Sequence, residues 1–137
     1  ADIALARDKT NLQNFADDME HEDEGIRWWS IVGLHLLEKD AASASTILEA
    51  ALDDEIDEIR MMAAWTLIKL GQPDKASTSI NDMLLNGTEN EAMLHNIIDW
   101  MAEPGLPFVR KYVENGGNRQ GKYGIGILGR IAELNGW

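Results

Sequence analysis

Apolar residues recur along this chain at three- and four-residue steps, and one arrangement of them comes round twice at a fixed spacing. In residues 52–71, LDDEIDEIRMMAAWTLIKLG, an acidic turn leads into Ile59, Ala63, Ala64, Trp65, Leu67 and Leu70. That is the spacing of an amphipathic helix rather than of a strand. Gly71 closes it and Pro73 follows, a stop-and-restart signal. Residues 19–37, MEHEDEGIRWWSIVGLHLL, carry the same order of features 33 positions earlier. Met19 falls on Leu52, Ile26 on Ile59, Arg27 on Arg60, Leu34 on Leu67 and Leu37 on Leu70.

Taken in order, the pattern predicts a first helix over 2–20 with Leu5, Leu12, Phe15, Ala16 and Met19 inward. A second follows over 24–37 (Ile26, Ile31, Leu34, Leu37), opened by acids that suit the positive end of a helix dipole. Asp40 is placed to cap a third over 41–52, with Ala44, Ile47, Leu48 and Ala51 as its stripe. The fourth spans 57–70 and the fifth runs from Pro73 to about 85, with Ala76, Ile80, Met83 and Leu84 inward. Thr88 with Glu91 matches a capping box for a sixth over 89–102. There the 33-residue register fades, since Arg60 falls on Met93, Ala63 on Asn96 and Leu70 on Glu103. A seventh starts near Pro107 with Phe108, Val109, Tyr112 and Val113, and a last segment covers 119–135. No stretch alternates with period two, so an all-α chain of seven or eight antiparallel helices is expected. A 33-residue period of helix pairs implies an α-α superhelix, in which each pair buries its face by stacking on its neighbours. One domain is expected over 1–137, with units at about 2–38, 41–71, 73–103 and a degenerate 107–137.

Among repeats of this length, the ankyrin TPLH-type turn and the tetratricopeptide Trp–Leu-Gly–Tyr pattern are both absent. Leu52, Asp54, Ile59, Arg60, Ala63, Ala64, Leu67, Leu70 and Gly71 resemble a short HEAT repeat, in which a turn Asp and the Arg opening the second helix are the hallmark. Arg27, Asp54 and Arg60 are therefore expected to tie one unit to the next through a carboxylate or a turn carbonyl. Residues 11–71 also resemble the start of the HEAT-like C-terminal extension of bacterial sulfatases. Arg27, Trp29, Gly33 and Leu34 match, while Trp28 stands where Tyr is usual and Ser30 where Ala is. The resemblance implies a non-catalytic appendage of a periplasmic or extracellular hydrolase; otherwise a cytoplasmic protein is expected. A sulfatase nucleophile motif, Cys/Ser-x-Pro-x-Arg, does not occur in this sequence. The opening ADIALARDK reads like the middle of a helix, so a piece of a longer protein is expected.

Composition narrows the partners. The chain is 45% hydrophobic and 26% charged, with 24 acids against 12 bases and a net charge of −12. Such a surface repels phosphate backbones and anionic bilayers, so neither nucleic acid nor a membrane surface is expected. No apolar run approaches the roughly 18–20 residues that span a bilayer, and none reads as a signal peptide. With no cysteine there is no disulfide, thiolate metal site or Cys nucleophile.

Candidate chemistry thins out on inspection. Gly124, Gly126 and Gly129 spell GxGxxG, yet no strand precedes them and the acid expected about 20 positions on is missing. They read as small residues that let a helix pack closely. The acids at 17–24 and 53–58 lack the D-x-D-x-D-G spacing of a calcium loop. His21, His35 and His95 are isolated, and Ser43, Ser45, Ser77 and Ser79 have no Gly-x-Ser-x-Gly elbow. No catalytic group, cofactor or metal is expected. The aromatics stand out more. Trp28 and Trp29 are about 100° apart on a helix, so both cannot face inward. Trp28, Trp29 and Trp65 form the candidate surface for a protein partner, with Trp29 or its neighbour expected at the outer edge. The expectation is a scaffold: the C-terminal part of a sulfatase-type hydrolase first, a free-standing HEAT adaptor second, and a HEAT-like lyase or enzyme accessory last.

Overall fold

The computed structural model describes residues 1–115. Among these the chain is all-helical, with no strand. Eight α-helices follow in order: α1 (Asp2–Leu5), α2 (Leu12–Asp18), α3 (Glu24–Leu36), α4 (Ser45–Ala50), α5 (Asp57–Lys69), α6 (Pro73–Asn86), α7 (Glu91–Trp100) and α8 (Leu106–Glu114). Short 3-10 turns at Lys9–Asn11, Glu38–Ala44, Ala51–Asp53 and Glu103–Gly105 join them. None of the helices is long and apolar enough to cross a membrane among the described residues. The chain divides into two compact units, Ala1–Ser79 and Ile80–Trp137, and the boundary falls inside α6.

Several helix ends lie where local chemistry puts them. Asp23 caps α3, its Oδ1 accepting from the Gly25 and Ile26 amides at 2.8 and 3.2 Å. Past α5, Gly71 takes φ +76°. Its amide donates to the Ile68 carbonyl at 3.0 Å, and that of Gln72 to the Leu67 carbonyl at 2.9 Å. This double closure is the Schellman motif, which a residue without Cβ enters without strain.

Elsewhere the chain departs from its pattern. The helix expected over 2–20 is broken: Arg7 turns to φ +54°, and Asp8 caps the next turn by accepting from the Thr10 amide at 2.9 Å. Leu5, separated from α2 by that turn, is exposed instead of inward. Ile26 is exposed as well. Only 45–50 of the helix expected over 41–52 is α-helical, because Glu38 ends α3 at φ +52° and the next seven-residue stretch winds as 3-10. Asp40 lies inside that stretch and caps nothing; α4 begins without a side-chain cap. At α7 the cap is Asn90, accepting from the Met93 amide at 3.1 Å, in place of Thr88. Residues 116–137, including the segment expected over 119–135 and its Gly124, Gly126 and Gly129, lie outside the described residues.

In the first unit α3 packs on α2 and α5, and α5 on α4 and the 51–53 turn. Helix α5 carries no clean stripe. Ile59, Met61, Met62, Ala63, Ala64, Thr66 and Leu67 are all buried, so it is enclosed by its neighbours on most sides. Burying each large side chain of the α3–α5 layer (Ile31, Leu34, Ile59, Leu67) contributes about 1.5–3 kcal/mol. Gly33 permits the close approach of α2: a Cβ there would lie 2.7–2.8 Å from the Phe15 ring. The second unit buries Ile80, Met83, Leu84, Leu94, Ile97, Ile98, Met101, Phe108 and Val109, with α7 against α8 and the 103–105 turn.

Candidate interaction surface

Two arrangements in the first unit involve the residues singled out by sequence, and they do different work. One is a buried ion pair. Arg27, in the first turn of α3, donates from Nε to Asp54 Oδ2 at 2.9 Å and from Nη2 to Asp54 Oδ1 at 3.2 Å. Its Nη1 donates to the carbonyls of His21 and Glu22 at 2.9 and 3.1 Å, and Nη2 also reaches Glu55 at 3.2 Å. All five guanidinium N–H groups are thereby used, which lets the group sit at 9% side-chain exposure. Its hydrogen bond to Asp54 raises the pKa of Arg27 against the opposing pull of burial. Asp54 Oδ1 also accepts from the Ile56 amide at 2.9 Å and so sets the turn that opens α5.

Arg60 repeats half of this pattern. Its Nη1 donates to the carbonyl of Asp54, six residues upstream, as Arg27 does to that of His21. It pairs with Asp57 in its own first turn rather than with an acid one unit on. Position 87, which is 33 beyond Asp54, holds glycine and offers no carboxylate. The tie therefore joins the turn before α5 to the start of α3 and does not recur at the next interval.

The second arrangement is a groove of about 540 Å³ where α1 meets α2 and α3. Ile3, Ala4, Phe15, Ile26 and Trp29 supply its apolar lining, and Asp17, Asp18 and Asp23 its charge. Ile26 and Trp29 are three residues apart and so share one face of α3. Trp29 is 39% exposed and Ile3 61%. Trp28, the next residue, is half-buried. Trp65 is not on this face: its ring lies 4.3 Å from that of His35, tilted by 43°. Of the three candidate tryptophans, one lines the groove. Sequence alone passed over Ile3 and weighed Asp17, Asp18 and Asp23 only as calcium ligands, because α1 reaches α3 only through the reversal at Arg7. The spacing of Ile26 and Trp29 was the readable sign.

The histidines have structural surroundings. His21 Nδ1 accepts from the Asp23 amide at 2.9 Å. Thr66 Oγ1 donates to the Met62 carbonyl at 2.7 Å, so it accepts from His35 Nδ1 at 3.0 Å and fixes that tautomer. Burial pulls the His35 pKa down from 6.5 to about 4, and Lys69 adds to the effect. His95 lies edge-on to Tyr112, with ring centroids 5.6 Å apart, and burial lowers its pKa too. Among the described residues no three or more His, Asp and Glu side chains are grouped so that they could hold a metal ion. Comparison of the chain with protein-family models, curated proteins and solved structures found no match.

Proposed function

We propose that the chain is a non-catalytic helical-repeat scaffold that docks another protein on the face made by α1, α2 and α3. The observation that carries this reading is Trp29, held 39% exposed beside Ile26 and Ile3 on a groove instead of being packed inside. An exposed tryptophan within an apolar depression is the kind of feature around which protein interfaces concentrate their binding energy. The 33-residue relation between the α3 and α5 segments, and the Arg27–Asp54 pair that joins them, support a HEAT-like α-α superhelix as the architecture.

The likeness of residues 11–71 to sulfatase extensions favours one form of this function: the C-terminal part of a secreted sulfatase-type hydrolase, packed on its catalytic domain. A free-standing HEAT adaptor is the alternative, and a HEAT-like lyase or accessory ranks below both. The reading frame that encodes the chain separates them. An upstream Cys/Ser-x-Pro-x-Arg motif behind an export signal supports the first form, and a short cytoplasmic frame sinks it. Aryl sulfates incubated with the purified chain are expected to stay intact; turnover would overturn the non-catalytic reading.

A further inference from the structure

The groove on α1–α3 has a charge as well as a shape. Its charged lining side chains are all acidic, Asp17, Asp18 and Asp23, with no Lys, Arg or His side chain among the residues that line it. Asp17 accepts from Gln13 at 2.7 Å and Asp23 from two amides of α3. A carboxylate has about four acceptor sites, so both retain capacity for an outside donor. Asp23 already covers the Gly25 and Ile26 amides with a carboxylate, which makes the N-terminus of α3 a poor seat for an anion. The described residues contain no strand edge that an extended peptide could join.

From this we infer that the groove takes an amphipathic helix of a partner protein, its apolar stripe seated on Ile3, Ile26 and Trp29 and its flanking Lys or Arg residues facing Asp17, Asp18 and Asp23. The inference rests on the scaffold reading and adds the chemistry of the partner. A helix satisfies its own backbone and presents anchors at i, i+3, i+4 and i+7, which suits a depression without a strand edge. Charge selects among occupants. A second copy of this chain, at net charge −12, would bring the same acids against one another, and a nucleic acid or anionic bilayer is repelled likewise.

The test is fluorescence anisotropy of the intact chain titrated against a labelled helix-forming peptide of about 18 residues, long enough to hold helical structure. The peptide carries Leu at the four anchor positions and Lys on both flanks, and a matched peptide carries Glu in place of Lys. Expected is binding of the Lys peptide at least about tenfold tighter than that of the Glu peptide, weakening between roughly 50 and 300 mM salt. Trp29→Ala should weaken it by about tenfold or more. Asp18→Asn should weaken it by about two- to fivefold and reduce the salt dependence. Equal binding of the two peptides, Lys-peptide binding indifferent to Trp29→Ala, or self-association abolished by Trp29→Ala would each overturn the inference. A photo-crosslinker at Asn14, on the groove wall, separates this failure from that of its premise. If Asn14 still crosslinks a protein, only the basic-helix inference falls; if it crosslinks none, the scaffold reading falls too.

Discussion

Replacing Arg27 by methionine keeps most of the aliphatic stem and removes the guanidinium. What remains is Asp54, 9% exposed at its side chain, with Oδ2 stripped of its Nε donor, and the carbonyls of His21 and Glu22 without theirs. Removing one partner of a buried pair costs about 3–5 kcal/mol, because the other charge stays desolvated. At about 3–4 °C per kcal/mol for a chain of this size the melting temperature should fall by roughly 10–20 °C. Asp54→Ala also loses the bond from the Ile56 amide and should cost about 2–4 kcal/mol. The double variant should be less destabilised than the sum, with a coupling energy above about 1.5 kcal/mol, since each single change leaves a charge that the double change removes. Arg60→Met is the internal comparison. That side chain is 27% exposed and its salt bridge lies within its own helix, so about 1 kcal/mol is expected. Urea unfolding at 25 °C, followed by far-ultraviolet circular dichroism, measures all four. An Arg27 variant no less stable than the Arg60 variant, or a coupling near zero, would refute the idea that this pair holds the start of α3 to the turn before α5.

Three other expectations follow from single contacts. His35 has a folded-state pKa below its unfolded value, so it contributes stability above pH 6.5 that is lost as pH falls towards about 4. At about 1.4 kcal/mol per pH unit the full effect is about 3 kcal/mol, and His35→Leu should flatten the unfolding free energy across that window relative to the parent; parallel curves would contradict the assignment. Gly33→Ala gains about 1 kcal/mol of helix propensity but puts a methyl 2.7–2.8 Å from the Phe15 ring, so overpacking of about 1–3 kcal/mol should win. Adding Phe15→Leu should recover stability, and no recovery in thermal melts would place the strain elsewhere. Ala102 sits at φ +56°, ψ −125°, a conformation that suits glycine, and Ala102→Gly should raise stability by about 1 kcal/mol; a lower melting temperature would contradict the strain.

Much of the helical layout was readable because its signals are local. Gly71 and Gly87 stop α5 and α6 at positive φ, where only a residue without Cβ is unstrained, and Pro73 restarts the chain. The breaks at Arg7 and Glu38 were not readable, because neither residue type marks a left-handed conformation. One of Trp28 and Trp29 could be placed at an edge because two adjacent tryptophans cannot share one helix face; the fold shows that it is Trp29. The groove beside it could not be foreseen, since it depends on α1 folding back onto α3 across the turn at 6–8. Arg27 presents the intermediate case. Its helix-opening position offered it a turn Asp or a turn carbonyl, and in the fold it bonds to both, at a sequence distance of 27 residues for the carboxylate.

The central claim, that the α1–α3 face docks a protein, is tested most directly by a photo-crosslinking phenylalanine analogue at Asn14 in the intact protein within its own cells. The same analogue at exposed Lys39, which does not line the groove, serves as reference, and mass spectrometry identifies the joined peptide. Expected is one recurrent partner segment from Asn14, apolar at helical spacing and flanked by Lys or Arg, and none from Lys39. No adduct from Asn14, or the same scattered adducts from both positions, would contradict it.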